Sequence, residues 1–442
     1  MIREPDNSFG VHVGKDGRLY ILFAAILFSV IMLGVVMEGP AEAAAGFARI
    51  QALPARLLQD FSEAESDGAA LVNAALVAFI GLGIVAVTKV RFSGPTIAAV
   101  LTMFGFGLFG KTPLNITPVI LGVLIAAHIA GKKFNEYILM ALFGTALGPL
   151  ASAVAVEAGL PIYLALPAGV LSGLIAGMLL PALAIVMLRL HQGFSLYNIG
   201  LTCGFIGVVA AAFLVAAGRA PGAVLVWNTN PSPALVFLAP AVSVVFVVAG
   251  ILWDPKGVWR RFVAIQKLSG RLPSDFLSLT STAAGLLNMG AIGLLTWGYV
   301  MVVGGDVNGP VLGGIFTAIG FAAFGKHPRN SWSIMVGVVI ATLVYGKSLT
   351  APGPILAALF SLTLAPLAGE FGPVVGFVAG FVHLTMVERT GAWHLGINLY
   401  NNGFAGGITA AVLVAVIEWF RSTRNMYGAK SKSEGSQKGT HI

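Results

Sequence analysis

The sequence is poor in charged residues and nearly devoid of cysteine. Asp, Glu, Lys and Arg make up only 10% of its 442 residues, against about 25% in a typical soluble domain. So few charges cannot cover a water-exposed surface, which excludes a soluble globular fold. Intrinsic disorder is excluded as well, because 57% of the residues are hydrophobic. The single cysteine, Cys203, rules out an intramolecular disulfide, and we expect it to be a small buried side chain.

The sequence is rich in long runs of apolar residues. The mean hydropathy is +0.89, and glycine accounts for 56 residues. Apolar runs separated by short polar stretches predict many membrane-spanning helices. The predicted fold class is therefore an all-α integral membrane protein, with the lipid bilayer as its first partner. The net charge of +8 then bears on orientation in the membrane, and we do not expect nucleic acid as a partner.

The chain is a duplication of one unit. A shift of 215 positions superposes residues 47–61 on 262–276 with 8 identities in 15 positions, and it aligns Lys111 with Lys326. Small gaps extend the match to the ends of both copies. The predicted division is an N-terminal segment at 1–18, a first repeat at 19–220, a linker at 221–234, a second repeat at 235–420 and a basic tail at 421–442.

Each copy holds seven apolar segments. They cover residues 19–37, 69–88, 94–109, 115–130, 137–156, 163–188 and 198–217 in the first copy, and 235–253, 279–303, 310–324, 331–345, 354–368, 371–387 and 404–419 in the second. Since a spanning helix needs about 20 residues, we expect the short third to fifth segments to be tilted, broken or re-entrant. Apolar residues spaced by three or four from Phe47 to Phe61, and from Phe262 to Phe276, predict an amphipathic helix in the membrane interface.

Basic residues predict the orientation of the chain and an inversion between the copies. With the N-terminus in the cytoplasm, 20 of the 26 Lys and Arg residues lie on the cytoplasmic side, as the positive-inside rule requires. Seven is an odd number, so the second copy enters the membrane upside down. The amphipathic stretch is acidic in the first copy and basic in the second, which also indicates opposite faces. We predict two inverted repeats in a bacterial inner membrane, with both termini cytoplasmic.

Inverted repeats favour a transport function, because solute sites lie where such repeats meet, at broken helices. The sequence has no nucleotide-binding loop, zinc motif or nucleophile elbow, so we expect no enzymatic activity, no cofactor and no metal ion. The predicted function is a channel or facilitator for a small polar solute. The alternatives are a secondary transporter, with an anion as one candidate solute, and a membrane enzyme acting on a lipid. A homo-oligomer is among the candidate assemblies.

A polar block before the seventh segment is the first candidate site. The pattern His-x-Gly-x-x-Leu-Tyr-Asn-x-Gly occurs at 191–200 and again at 394–403. Asn and Tyr offer hydrogen bonds to an uncharged solute and are costly in lipid without partners. Alternatively, the Asn caps the next helix and the Tyr anchors it at the interface. The candidate substrate-binding residues of these blocks are His191, Tyr197, Asn198, His394, Tyr400, Asn401 and Asn402.

Two further equivalent pairs are candidate substrate-binding residues. Lys111 and Lys326 each follow a glycine, and they attract an anion in one interpretation and form ordinary helix ends in the other. Lys111 is one of six basic residues that the topology places outside, against the charge rule. Asn73 and Asn288 either line a solute path or bond between helices.

The second polar block resembles a segment of the urea transporter family. Residues 396–407, Gly-Ile-Asn-Leu-Tyr-Asn-Asn-Gly-Phe-Ala-Gly-Gly, follow a glycine-rich helix and look like the Leu-Tyr-Gly-Tyr-Asn-Gly segment of that family. Residues 308–314 resemble its Asn-Pro half-helix, whereas its Leu-Pro motifs are not evident. The resemblance implies inverted repeats whose half-helices line a narrow, continuous pore for a urea-like solute.

Two other resemblances concern the whole chain. The count of seven segments per copy is similar to that of the nucleobase and sulfate/bicarbonate transporter fold, although no motif of that family is present. The chain also looks like an uncharacterised, internally duplicated family of bacterial polytopic membrane proteins, which implies no particular substrate.

Overall fold

Helices form the regular structure of the chain. A computed structural model describes residues 17–437, with side chains from 17 to 423. Most of the predicted N-terminal segment, and the last five residues of the predicted basic tail, lie outside the described residues. Cys203 is 0% exposed, as expected.

The helices follow the duplication. Those of the first copy are α1 (Gly17–Glu38), α2 (Pro40–Ile50), α3 (Phe61–Ala64), α4 (Asp67–Val87), α5 (Gly94–Gly107), α6 (Pro113–Ile129), α7 (Ile138–Gly144), α8 (Gly148–Val156), α9 (Ile162–His191) and α10 (Asn198–Ala216). Those of the second are α11 (Pro233–Trp253), α12 (Val258–Ile265), α13 (Phe276–Leu279), α14 (Thr282–Val303), α15 (Gly309–Phe321), α16 (Pro328–Val344), α17 (Pro352–Phe360), α18 (Ala365–Phe371), α19 (Pro373–Trp393) and α20 (Asn401–Gln437). Short 3-10 turns lie at Phe134–Tyr137, Thr145–Leu147 and Ser361–Leu364.

The predicted seven segments per copy are confirmed. Within the described residues, nine helical segments are long and apolar enough to cross a membrane. The other five predicted segments form the helices α5, α6, α15, α16 and α19. The chain is therefore an all-α, multi-pass membrane protein that contacts the lipid bilayer.

Equivalent residues cap equivalent helices. The hydroxyl of Ser66 accepts a hydrogen bond from the backbone N–H of Ala69 at the start of α4, and Ser281 does the same for Ala284 in α14. These caps satisfy N–H groups that have no partner inside the helix. Thr112 caps α6 in the same way. Single polar residues in front of apolar runs thus mark these helix starts.

The inversion is visible in the central pair of helices. α5 and α15 pack antiparallel, with Gly94 against Phe324 at one end and Gly309 against Leu108 at the other. We call residues 39–66 the first connector and residues 254–281 the second connector. Asp275 of the second connector accepts a hydrogen bond from the backbone N–H of Gly94, whereas Asp60 of the first accepts one from Gly309. The two connectors therefore lie at opposite ends of the pair, which is the arrangement of inverted repeats.

The fifth segment of each copy is broken, as expected for the short segments. A 3-10 turn separates α7 from α8, and another separates α17 from α18. Pro149 and Pro366 follow these turns in the first turn of α8 and α18, where a missing N–H is tolerated. The turns present carbonyl groups to the polar blocks, because the N–H of Leu399 donates to the carbonyl of Ala146.

The predicted amphipathic helices are shorter than the apolar spacing indicates. α2 ends at Ile50 and α12 at Ile265, so the prediction of helix up to Phe61 and Phe276 is wrong. Beyond α2, Pro54 has no N–H to continue the helix. Leu58 has a φ of 63°, and its carbonyl accepts a hydrogen bond from the N–H of Val226 in the predicted linker. Contacts with distant segments thus replace helical hydrogen bonds in the first connector.

Candidate functional site

The two polar blocks meet at the centre of the molecule, where α10 and α20 begin. These helices cross at Gly200 and Gly403, which are equivalent residues of the two copies. A Cβ atom on Gly200 would lie 2.9 Å from the Cα of Gly403, so this approach requires glycine. Since the contact joins equivalent residues of inverted copies, the crossing lies on the pseudo-two-fold axis.

Each tyrosine of the blocks contacts a lysine. Nζ of Lys111 donates a hydrogen bond of 2.7 Å to Oη of Tyr400, and Nζ of Lys326 donates one to Oη of Tyr197. Both lysines are 0% exposed. Their assignment to the two membrane surfaces, with Lys111 outside, is therefore wrong. The turn that carries Lys111 is held inside because Nδ2 of Asn73 donates to the carbonyl oxygens of Gly107 and Lys111.

The amino groups of both lysines have neutral partners. Lys111 also donates a hydrogen bond of 2.8 Å to Oγ1 of Thr145, and its Nζ lies 4.7 Å from the ring centroid of Tyr400. Nζ of Lys326 lies 4.5 Å from the ring centroid of Tyr197. Neither lysine takes part in the ion pairs found among the described residues. Hydroxyl oxygens and aromatic faces thus hold both side chains.

A cavity of about 810 Å³ lies between the two copies. Equivalent residues of both copies face it, among them Tyr197 with Tyr400 and Gly200 with Gly403. Six phenylalanines in three equivalent pairs contribute much of the wall: Phe106 and Phe321, Phe109 and Phe324, and Phe143 and Phe360. The size and the mainly apolar wall with a few polar groups are typical of small-molecule binding sites.

The predicted site residues divide into cavity-lining and structural groups. Tyr197, Asn198, Tyr400 and Asn402 line the cavity. The other predicted residues of the blocks, His191, His394 and Asn401, are buried behind the wall. Nε2 of His191 lies 3.1 Å from Oδ1 of Asn198, and the same contact joins His394 and Asn401 at 3.2 Å.

The two buried asparagines bond between helices. Asn73 contacts the turn after α5, and Nδ2 of Asn288 donates to the carbonyl oxygens of Ala322 and Lys326 after α15. Both are 0% exposed and lie outside the cavity wall. Of their two interpretations, the structure supports the helix-to-helix bond.

Two residues that the sequence did not single out complete the site. Thr102 on α5 and Thr317 on α15 are equivalent, 2% exposed, and line the cavity. Among the described residues neither hydroxyl has a hydrogen-bond partner. Thr296, on another apolar helix, illustrates the usual alternative, because its hydroxyl donates to the carbonyl of Ile292. The sequence carries no signal that separates the two kinds of threonine.

The two ends of the cavity differ, although equivalent residues occupy them. At one end Arg271 is exposed, and its Nε donates a hydrogen bond of 2.9 Å to the carbonyl of Gln192. At the other end Arg56 is 2% exposed, and its Nε lies 2.9 Å from Oε2 of Glu157, an ion-pair contact without hydrogen-bond alignment. Glu157 follows α8, in a stretch that the second copy lacks.

The arrangement can bind a solute through hydrogen-bond donors and apolar surface. Arg189, Gln192 and Arg271 lie at the exposed end, and the hydroxyl groups lie deeper. No Asp or Glu side chain is among the described residues that line the cavity. The wall therefore offers positive charge and donors without a negative charge to oppose an anion.

The comparison with known families agrees with the duplication. One family model, described as a protein of unknown function, matches residues 39–216 and 254–419, which correspond to the two copies. No curated protein and no solved structure matches the chain. Since the matched residues make up more than half of the sequence, the chain belongs to the DUF1576 family, an internally duplicated family whose function is not assigned.

Proposed function

We propose that the protein is a secondary transporter that carries a small solute through the cavity between its inverted repeats. The observation that carries this proposal is the cavity itself, to which both copies contribute equivalent residues on the axis that relates them. Transporters built from inverted repeats place their solute site at the repeat interface, beside interrupted helices. Here the broken fifth segments and the crossing of α10 with α20 occupy that place.

The unequal ends of the cavity support alternating access. Arg271 and Pro273 are exposed at the second-connector end. At the first-connector end, Leu57 lines the cavity and Arg56 behind it pairs with Glu157. Since the two copies share one fold, a second state in which they exchange conformations opens the first-connector end and separates Arg56 from Glu157. In such a mechanism the site is exposed to one side of the membrane at a time.

A channel for a urea-like solute is less well supported. Six phenylalanines contribute to this wall, and their rings offer no conventional hydrogen bond to a urea-like solute. A volume of about 810 Å³ also far exceeds one urea-sized molecule. The buried ion pair at one end supports a gate rather than a continuous path.

The orientation follows from the charge of the second connector. Lys256, Arg260 and Lys267 are exposed on it, and the positive-inside rule assigns such a surface to the cytoplasm. In a bacterial inner membrane, the end of the cavity with Arg271 then opens to the cytoplasm. The ion pair between Arg56 and Glu157 closes the opposite end.

The experiment uses two cysteines at equivalent cavity positions. Leu196 and Leu399 line the cavity next to the two tyrosines. Leu196→Cys and Leu399→Cys are introduced singly and together in a Cys203→Ala background, and a membrane-impermeant thiol reagent is added to one side of sealed vesicles. We expect Leu196→Cys to react from the second-connector side and Leu399→Cys, more slowly, from the first-connector side. In the double variant, prior reaction of Leu196→Cys with a bulky reagent should stop the reaction of Leu399→Cys.

Two outcomes contradict the proposal. If the bulky group at position 196 leaves the reaction at position 399 unchanged, both ends are open together and the protein is a channel. If Leu399→Cys never reacts from the first-connector side, the cavity does not connect the two sides. The Cys203→Ala protein without added cysteines is the control for reaction elsewhere.

A further inference from the structure

The wall of the cavity carries hydroxyl groups with hydrogen atoms to donate. Thr102 and Thr317 face the cavity at equivalent positions on the two central helices, and neither hydroxyl has a protein partner among the described residues. An unpaired polar group at 2% exposure is costly. In a membrane-embedded helix a threonine avoids this cost by donating to its own backbone, as Thr342 does to Val338. Thr409 also lacks a partner but lies outside the cavity wall, whereas Thr102 and Thr317 are equivalent exceptions that line one cavity, and this pairing indicates a ligand.

The two tyrosines add the same kind of group. An ammonium group donates hydrogen bonds and has no lone pair to accept one. In the pairs Lys111–Tyr400 and Lys326–Tyr197, Nζ donates and the phenolic oxygen accepts, which is the required direction when the lysines are charged. The phenolic hydrogen of each tyrosine has no acceptor in any contact found within residues 17–423. Four hydroxyl hydrogens around one axis are thus available to a bound molecule.

The charged side chains that line the cavity are basic, whereas the nearby carboxylates of Glu157 and Glu418 lie outside its wall and have partners of their own. Lys111 and Lys326 lie directly behind the tyrosines, and Arg189 and Arg271 lie at the exposed end. The described part of the wall has no carboxylate. Two buried lysines without a counter-ion are unfavourable in their charged form in a membrane interior, and a bound anion favours that form. A ligand that brings a negative charge and several acceptor lone pairs removes both deficits, and a carboxylate has about four such positions.

The rest of the wall is mainly apolar and favours a ligand that has an apolar group beside its carboxylate. The phenylalanine pairs line the same cavity as the four hydroxyl groups, and Leu57, Leu272 and Leu356 extend the apolar surface. At the border of the cavity, Leu139 and Leu188 are 36% and 38% exposed, beside the charged Arg189. A small inorganic anion would leave this surface without contacts. A carboxylate attached to an aromatic or aliphatic group of moderate size fits both parts of the site.

We propose that the cavity binds an organic monocarboxylate with an apolar aromatic or aliphatic group. Thr102 and Thr317 bind its carboxylate together with Tyr197 and Tyr400, whose hydroxyl groups contact the two lysines. The body of the solute lies between the phenylalanine pairs, and Arg189 and Arg271 attract it to the open end. This inference rests on the proposed transport function in so far as it names the solute of the same cavity.

The test compares three probes of one shape and different charge. The purified full chain in detergent is titrated with 3-phenylpropionate, 3-phenylpropan-1-ol and 3-phenylpropylamine, and binding is measured by calorimetry. We expect the carboxylate to bind at least about tenfold more tightly than the alcohol, because each charge-assisted hydrogen bond contributes about a factor of ten or more. The amine should bind least, because its charge has the same sign as the lysines.

Threonine variants connect the binding to the site. Thr102→Val and Thr317→Val keep the size of the side chain and remove the hydroxyl. Each should weaken 3-phenylpropionate binding by about tenfold, while Thr102→Ser and Thr317→Ser should retain it. Thr296→Val and Thr342→Val are matched controls, because these buried hydroxyls donate to their own helix, and we expect no change in binding.

The outcomes separate the ligand from the transport function. If the alcohol or the amine binds as tightly as the carboxylate, or if the valine variants bind like the controls, the carboxylate site is wrong. If the carboxylate binds as expected but the two cavity cysteines react independently of each other, the site stands and the alternating-access proposal fails. If the cysteines alternate and no carboxylate binds, the transport proposal stands and its solute belongs to another class.

Discussion

Nε of Arg56 lies 2.9 Å from Oε2 of Glu157, and the equivalent Arg271 has no carboxylate partner among the described residues. This ion pair has no counterpart at the second-connector end, where the exposed Arg189, Arg271 and Pro273 line the cavity. Arg56 also donates from Nη1 to the carbonyl of Leu395, at 3.4 Å, in the polar block before α20. The pair therefore ties the first connector both to the turn after α8 and to that block.

We predict that Glu157→Gln opens the first-connector end of the cavity. The substitution keeps the size of the side chain and removes the charge that holds Arg56. With Leu57→Cys as the reporter in a Cys203→Ala background, the rate of reaction with an impermeant thiol reagent from that side should rise about tenfold, which corresponds to about 1.4 kcal/mol. The measurement is the labelling rate in sealed vesicles.

The matched control is Glu388→Gln. It breaks the ion pair between Lys347 and Glu388, which lies outside the cavity wall. Its labelling rate at position 57 should equal that of the unmodified background. A similar rise in both variants would mean that the loss of any ion pair loosens the protein, and the assignment of a gate would not hold.

A second prediction concerns the glycine crossing. Gly200→Ala and Gly403→Ala each place a Cβ atom 2.9–3.0 Å from the opposing Cα, where backbone has to move. We expect each substitution to lower the free energy of unfolding by about 1–3 kcal/mol, as overpacking of a close contact does. The apparent thermal midpoint of the purified protein measures the effect.

Two other helix glycines provide the control for this experiment. Gly83 on α4 and Gly298 on α14 are equivalent, and a Cβ atom on either meets nothing within 4 Å. Alanine there should be neutral or should stabilise the helix by up to about 1 kcal/mol. Equal destabilisation at all four positions would show that the crossing has no special role.

The architecture was predictable because it depends on local and repeated signals. Long apolar runs, an odd number of segments per copy and the opposite charge of the two connectors suffice for two inverted repeats. The polar blocks are recognisable in the sequence because Tyr and Asn are unusual next to apolar segments. Two of their predicted residues in each copy, Tyr197 with Asn198 and Tyr400 with Asn402, line the cavity.

The rest of the site depends on contacts between distant positions. Lys111 and Tyr400 are 289 positions apart, and a lysine after a glycine has the sequence signature of an ordinary helix end. Thr102 differs from Thr296 only in what surrounds its hydroxyl. The connectors are irregular because their backbone bonds to remote segments, such as the N–H of Leu57 to the carbonyl of Gly396. Local periodicity contains none of these relationships.

A third prediction concerns pH and Asp60 in the first connector. This carboxylate is 0% exposed and accepts hydrogen bonds from the backbone N–H groups of Ser62, Asn228 and Gly309. Burial raises the pKa of Asp60 from 3.8 to about 6, and the bonds from Ser62, Asn228 and Gly309 limit the rise. The folded protein thus binds this proton more tightly than the unfolded chain does.

The stability from protonated Asp60 is complete below about pH 4 and is lost as the pH rises through about 6. The loss amounts to at most about 3 kcal/mol, from 1.36 kcal/mol per pKa unit. Asp60→Asn does not titrate, so its stability relative to the native protein should increase between pH 4.5 and 7.5. Glu63→Gln removes an exposed carboxylate of the same connector and is the control. A stability difference for Asp60→Asn that is constant with pH would contradict this account.

The last prediction concerns a difference between the two lysine–tyrosine pairs in the number of hydrogen-bond acceptors. Lys111 donates hydrogen bonds to both Tyr400 and Thr145, whereas Lys326 donates to Tyr197 alone among the described residues. Tyr197→Phe therefore leaves the buried amino group of Lys326 without a hydrogen-bond acceptor, while Tyr400→Phe leaves Lys111 with one.

We expect Tyr197→Phe to lower the free energy of unfolding by about 1–3 kcal/mol, the cost of a buried unpaired donor, and Tyr400→Phe to lower it by less. The rings remain in both variants, so the contacts of the lysines with the aromatic faces are retained. The apparent thermal midpoints of the two variants measure the difference, with Tyr299→Phe as a tyrosine control outside the cavity wall. Adding Thr145→Val to Tyr400→Phe removes both acceptors of Lys111. The double variant should then lose about as much free energy of unfolding as Tyr197→Phe does. Equal midpoints for the two single variants, or a larger effect for Tyr400→Phe, would show that Thr145 does not stabilise the ammonium group of Lys111.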